Sequence, residues 1–512
     1  MSAALMGTGL WRRGPAIAAF AVALALLGGS ATASAFDAVY EAKDYSKTLE
    51  RARIYSTPGY QLKLRTIGLR NRINATAAQA EDPERNFIAN LCASGEDGCA
   101  GDVRLYGWGP KGYGIVKPIL FTARNGATLS GHVWATKAGP ARRPGIVITN
   151  GSVQAAEQHY WYAAQTLAKD GYVVMTFDPQ GQGQSDILGE GADRLEGVPS
   201  QTDGRPFFDG TEDAIDFFLS DAAHPYEPVP SCETGTSHAP KQDRRVAAGL
   251  DTAYNPLARL LNKNRLGLAG HSYGAAGVSY IGQWDPRVDA VVAWDNLGGT
   301  DPNAPFQAIP HMEQPCPADP SQRTVAPIRK PGLGISADYG LPPTPNTSQP
   351  DPEAKTAQSV TYSDAGVDSG EIIIRGGSHL DFSWIPNPAF GASLRGADET
   401  AWYTTAWFDK YVKEDPSADR RLLSDRWFND AQEAAVDPDH DGNMFSRYYR
   451  SRLDIGLARG GRFDCEDIRP DAMRPDPPST YPANTCSGWI PAASDGWPDN
   501  YDYLKIDTAA DG

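Results

Sequence analysis

Gly270-His271-Ser272-Tyr273-Gly274 stands between Arg265-Leu266-Gly267-Leu268-Ala269, an apolar segment of strand character, and Ala275-Ala276-Gly277-Val278-Ser279-Tyr280-Ile281, which reads as a helix. A chain that turns from strand to helix over so few residues holds the intervening serine in a strained backbone conformation. Glycines two positions before and after the serine let the strand and the helix pass without a clash. This turn fixes a strand, a sharp corner and a helix in one place, and the rest of the chain must be compatible with it.

The flanking sequence is compatible. Ile115-Val116-Lys117-Pro118-Ile119-Leu120-Phe121 and residues 128–135 alternate like paired strands around Asn125-Gly126, a hairpin turn. Gly145-Ile146-Val147-Ile148-Thr149 is a continuous apolar run of the kind buried in a parallel sheet. Tyr160, Ala163, Ala164, Leu167 and Ala168 follow at helical spacing, with Gly171 as the stop. Tyr172-Val173-Val174-Met175-Thr176-Phe177 reads as a second buried strand, and Ala214, Ile215, Phe218 and Leu219 mark a helix. Beyond the serine come strands at 288–294, 332–336 and 371–374, then a closing helix carrying Tyr403, Ala406, Trp407 and Tyr411. Strands alternating with helices predict an α/β fold, a mostly parallel sheet with helices on both faces. Two Pro-rich insertions, 222–256 and 297–331, interrupt it without clear periodicity.

A serine hydroxyl is a poor nucleophile unless a histidine takes its proton and an acid orients that histidine. Where a serine stands on such an elbow, the partners follow in the order acid, then histidine. Three histidines follow Ser272: His311, His379 and His440. His379 lies in Arg375-Gly376-Gly377-Ser378-His379, where a Gly-Gly loop after a buried strand can present an imidazole above the sheet. Asp338, after the strand at 332–336, is the expected acid, and Asp295, in Trp294-Asp295-Asn296, is its rival. The oxyanion would be met by the backbone N–H of Tyr273 and by one from Asn150-Gly151-Ser152-Val153. Ser152 is favoured there, with Val153 one step behind.

Phe177-Asp178-Pro179-Gln180-Gly181-Gln182-Gly183-Gln184-Ser185 resembles the aspartate–arginine–glycine–x–glycine–x–serine loop of α/β-hydrolases, with Gln180 where arginine is usual. That substitution removes a common structural ion pair. Taken with the serine elbow, Gly377-Ser378-His379 and the aromatic-rich His159-Tyr160-Trp161-Tyr162, the chain resembles a secreted serine esterase of the α/β-hydrolase superfamily. Within it the likeness is to bacterial cutinase-like polyester hydrolases and platelet-activating-factor acetylhydrolases. The resemblance implies an α/β-hydrolase catalytic domain over 113–415, between an N-terminal extension at 36–112 and a C-terminal extension at 416–512. It also implies an acyl-enzyme on Ser272 and a small-molecule or polymeric ester as substrate, with no metal and no organic cofactor. Trp161, Tyr273 and Trp384 are candidates to line an apolar cleft. A serine peptidase, amidase or acyltransferase would use the same triad. Dehalogenase and epoxide-hydrolase chemistry needs a carboxylate at the elbow, which Ser272 excludes.

Arg12-Arg13, an apolar run and Ala33-Ser34-Ala35 have the layout of a secretory signal peptide over 1–35, which predicts export with no membrane anchor after cleavage. The whole chain carries a net charge of −16, and the signal contains two of its bases and none of its acids. So acidic a chain is expected to repel nucleic acid and anionic membranes. Six cysteines in an exported chain predict three disulfides, with Cys92–Cys99, Cys465–Cys486 and Cys232–Cys316 as the preferred pairs. Residues 437–443 have the acidic alternation of a calcium loop, but Tyr448 stands where a bidentate glutamate is needed, so no EF-hand is expected.

Overall fold

The computed structural model describes residues 36–87, 99–109, 112, 114–152, 155–194, 204–300, 325–387, 391–424, 445–469 and 486–488. The expected signal segment, Val153, most of the second insertion and the calcium-like loop at 437–443 lie outside the described residues. Three helices open the chain: α1 (Ala38–Ser46), α2 (Glu50–Tyr55) and α3 (Pro58–Glu81). The hairpin β1 (Gly114–Thr122) and β2 (Thr128–Thr136) follows, then β3 (Arg143–Thr149), α4 (Trp161–Lys169), β4 (Val173–Asp178), α5 (Arg205–Leu219) and α6 (Ala239–Ala247). Next are β5 (Leu261–His271), α7 (Tyr273–Trp284), β6 (Ala290–Trp294), β7 (Gly332–Tyr339), α8 (Ala357–Asp364) and β8 (Ser369–Ser378). Helices α9 (Arg395–Tyr411) and α10 (Ala418–Leu422) and strands β9 (Arg452–Gly456) and β10 (Arg462–Cys465) complete it.

The ten strands form one sheet in the order β1-β2-β4-β3-β5-β6-β7-β8-β9-β10. From β4 to β8 neighbours run parallel, and antiparallel pairs finish both edges. The fold is therefore α/β, with a mostly parallel sheet at its centre. The continuous apolar runs follow from burial on both faces. Ile146 and Ile148 pack with α4 and α9 on one face, while Val147 packs with α5 and α7 on the other. Asn125-Gly126 makes the expected hairpin turn, with Gly126 at φ 85° and Phe121 opposite Leu129.

Two features depart from the sequence expectations. The first insertion contains α6, which lacks an apolar repeat because polar side chains dock it. Arg245 pairs with Asp82 at 2.6 Å and Asp251 at 2.9 Å, and the Gln242 amide oxygen accepts the N–H of Thr122 at 2.8 Å. Strand β7 continues to Tyr339, so Asp338 lies inside the strand and not beyond it. The N- and C-terminal segments are also part of the core. Tyr60, Leu64 and Ile67 of α3 join the cluster on the α4 face, as do Leu453 and Ile455 of β9. Cys465 and Cys486 form a disulfide with a Cα separation of 5.7 Å. Cys99 and Cys232 are disulfide-bonded as well, and their preferred partners Cys92 and Cys316 lie outside the described residues.

Candidate active site

Ser272 occupies the corner between β5 and α7 at φ 59°, ψ −122°, a region that a residue with a Cβ enters only under strain. Its N–H donates to the Trp294 carbonyl at 3.1 Å, which fixes the corner against the end of β6. The flanking glycines are required by contact. A Cβ on Gly270 would lie 2.3 Å from the Gly274 carbonyl oxygen, and one on Gly274 would lie 2.3 Å from that of Thr149. The serine thus sits at the N-terminus of α7, the positive end of a twelve-residue helix.

His379 follows β8 directly, and its Nδ1 pairs with the carboxylate of Asp295. Asp295 comes immediately after β6 at φ 66°, with Asn296 next at φ 94°, two consecutive left-handed residues without glycine. This turn is held by the Asp295 N–H donating to the Ile335 carbonyl at 2.6 Å. Burial alone would raise the Asp295 carboxyl, but the His379 imidazole beside it outweighs that and holds it down at about 2. Asp338, the expected acid, is not at His379. One of its oxygens accepts from the hydroxyl of Ser446 and the other accepts the Gly376 N–H at 2.7 Å. Burial, reinforced by the charge of Asp44, pushes its carboxyl up to about 7. Strand length accounts for this: inside β7, Asp338 reaches the neighbouring β8 backbone instead of the loop above the sheet.

Ser272, His379 and Ser152 line a common cavity of about 90 Å³, together with Ala155, Tyr160, His271, Leu341, Leu380, Ser383 and Ile385. The loop carrying Ser152 is anchored through Asp178, whose carboxylate accepts from the Asn150 amide at 2.8 Å and from the Glu157 N–H at 2.7 Å. Gly151 comes so close to the serine that a Cβ there would lie 3.1 Å from the Ser272 Cβ. Tyr273 is the first residue of α7, and its ring stacks on Phe207 with centroids 5.4 Å apart. Gln180, at the position where arginine was expected, accepts from Asn125 at 2.5 Å and donates to the Ile187 carbonyl at 2.8 Å.

Two residues given no role from sequence tie these parts together. The Gly151 N–H donates to the Tyr160 hydroxyl at 3.1 Å, and that hydroxyl lies 2.8 Å from His271 Nδ1. His271 Nε2 lies 2.8 Å from the His379 carbonyl oxygen, which can only accept. The proton of His271 is therefore on Nε2, and Nδ1 accepts from Tyr160. Burial, assisted by the charge of His379, pushes His271 down to about 3, so the ring stays neutral. Its ring centroid is 4.7 Å from that of His379. Sequence reasoning assigned Tyr160 to a helix stripe, and the pentapeptide itself contained His271, but only the folded geometry links them.

Trp161, Tyr273 and Trp384 are not among the cavity residues. Trp161 packs among Tyr106, Trp134 and His132, with centroids 4.9, 5.0 and 5.6 Å away. Trp384 lies between the guanidinium groups of Arg51 at 4.4 Å and Arg104 at 4.7 Å, and it donates to the Tyr60 hydroxyl at 3.0 Å. Among the described residues, no group of three or more His, Cys, Asp or Glu is arranged to hold a metal ion. No helix among them is long and apolar enough to cross a membrane. Comparison with protein-family models and with curated proteins finds no match for this chain.

Proposed function

We propose that the protein is a serine hydrolase of the α/β-hydrolase kind that cleaves carboxylic esters through an acyl-enzyme on Ser272. The observation that carries this reading is that His379, paired with Asp295, lines one cavity with a serine on a strained elbow. Ser272 Oγ attacks the ester carbonyl carbon while His379 Nε2 takes the hydroxyl proton. Asp295 keeps the other ring nitrogen protonated and offsets the imidazolium charge. The tetrahedral oxyanion is met by backbone N–H groups of Tyr273 and Ser152 at the positive end of α7. Collapse breaks the bond to the alcohol, which leaves with the proton from His379, and water then repeats the cycle to release the acid. The signal-like segment at 1–35 supports export, and no anchor is proposed for the cleaved chain.

Incubation with a fluorophosphonate should label Ser272, and the protein should cleave p-nitrophenyl acetate or butyrate at neutral to alkaline pH with EDTA present. No ester cleavage together with cleavage of peptide amides would instead make it a serine peptidase.

The hydroxyl of Tyr160 gives a sharper test of the geometry. Tyr160→Phe removes the acceptor of the Gly151 N–H and the donor to His271 together. We expect kcat to fall about 10- to 100-fold with little change in KM, because small displacements of reacting groups cost rates of that order. Steady-state kinetics on p-nitrophenyl butyrate measure it, and an unchanged kcat would remove Tyr160 from the account.

A further inference from the structure

Helix α3 presents two apolar faces. Tyr60, Leu64 and Ile67 are buried against the core, whereas Leu62, Leu69 and Ile73 are 69%, 58% and 59% exposed. The exposed three are spaced i, i+7 and i+11, so they form a single stripe along the helix. Arg65 and Arg72 run along one side of that stripe, and Lys63 and Arg70 along the other. Glu81, the last residue of α3, is its only acid. An aliphatic stripe with a cationic row on each side is the pattern of a helix that lies in a lipid–water interface.

We propose that the outer face of α3 docks the protein onto an anionic lipid surface. Charge complementarity selects this occupant. A second copy of the chain would bring the exposed Arg65 and Arg70 against themselves, whereas anionic headgroups meet one of these cations on each side while the aliphatic side chains enter the acyl boundary. The net negative charge of the whole chain, which argued against such a surface, acts diffusely. Salt screens it beyond about 8 Å, so the cations at the contact dominate. The position of α3 adds a consequence for the cavity. Tyr60 on its inner face accepts from Trp384, whose neighbours Ser383 and Ile385 line the Ser272 cavity. A helix with its side chains is about 10 Å thick, so the docked surface lies close to the cavity wall.

The test is co-sedimentation with vesicles, using the full chain carrying Ser272→Ala so that hydrolysis plays no part and the result is independent of the esterase reading. Binding should be stronger to vesicles containing phosphatidylglycerol than to pure phosphatidylcholine, and it should weaken as salt rises. Leu69→Gln with Ile73→Gln, both exposed positions, should reduce binding about tenfold or more. Arg65→Gln should reduce it about fivefold on the anionic vesicles alone, the usual contribution of one basic residue near such a surface. Circular dichroism confirms that the variants fold. Binding of the Ser272→Ala chain that neither further substitution changes, or no binding at all, would overturn the proposal. So would a concentration-dependent dimer in analytical ultracentrifugation that the double substitution abolishes, which would assign the face to a second copy.

Discussion

Ser272→Ala is expected to lower kcat on p-nitrophenyl butyrate by about 10⁴- to 10⁶-fold, the loss seen when a triad serine is removed and only binding and oxyanion stabilisation remain. Fluorophosphonate labelling should disappear with it. The fold should survive, because the serine side chain packs no core and the strained φ of 59° is tolerated no worse by alanine than by serine. Burst kinetics in the wild-type chain, with an acyl adduct trapped at low pH, would identify the covalent step directly. A variant keeping more than about a tenth of the activity would place the nucleophile elsewhere and remove the proposed mechanism.

Asp295→Asn should be nearly as damaging, with a loss of about 10⁴-fold in kcat, since an amide at that position stabilises the wrong imidazole tautomer of His379. Asp338→Asn provides the contrast. Its carboxyl contacts Ser446 and the Gly376 N–H and leaves His379 to Asp295, so activity should stay within about tenfold of wild type, as for a change removed from the reacting atoms. The same substitution should alter stability against pH. An acid held at about 7 in the folded state but near 4 in the unfolded chain keeps its proton only when folded. Folding stability from this group is thus present at low pH and is lost as pH rises from about 4 through 7. Asp338→Asn should flatten that part of the profile, measured as urea midpoints at pH 4.5 and 7.5. Equal losses of activity in the two variants would leave the acid unassigned.

The contrast between these aspartates marks what the sequence could convey. Ser272 and His379 were legible because each is announced by its own neighbours, two glycines around the serine and a Gly-Gly loop before the histidine. The carboxylate beside His379 was not, because it depends on where β7 ends and how the chain turns after β6. Nothing in Gly332-Leu333-Gly334-Ile335-Ser336 signals that the strand continues through Asp338 to Tyr339. The left-handed pair Asp295-Asn296 is fixed by a hydrogen bond that Asp295 donates to a strand some forty residues later, beyond the reach of any local pattern. The parallel centre of the sheet was visible as continuous apolar runs, whereas α6 was hidden because ion pairs hold it. Trp384 illustrates a different loss: its burial between Arg51 and Arg104 joins three distant segments, and aromatic character alone suggested a cleft.

The sheet order also limits how small the working protein can be made. Strand β8, which delivers His379, has β7 on one side and β9 on the other, with Glu371 opposite Arg452 and Ile374 bridging to Phe445. β9 comes after α9 and α10 in the chain. A fragment ending after α9 would contain Ser272, Asp295 and His379 yet leave β8 as a bare edge, its N–H and C=O groups open to pairing with another molecule. On the ribosome the same strand stays unsealed until the C-terminal segment emerges. Strands β9 and β10 therefore act as an intramolecular guard against self-association, and a soluble fragment carrying Ser272, Asp295 and His379 has to include them.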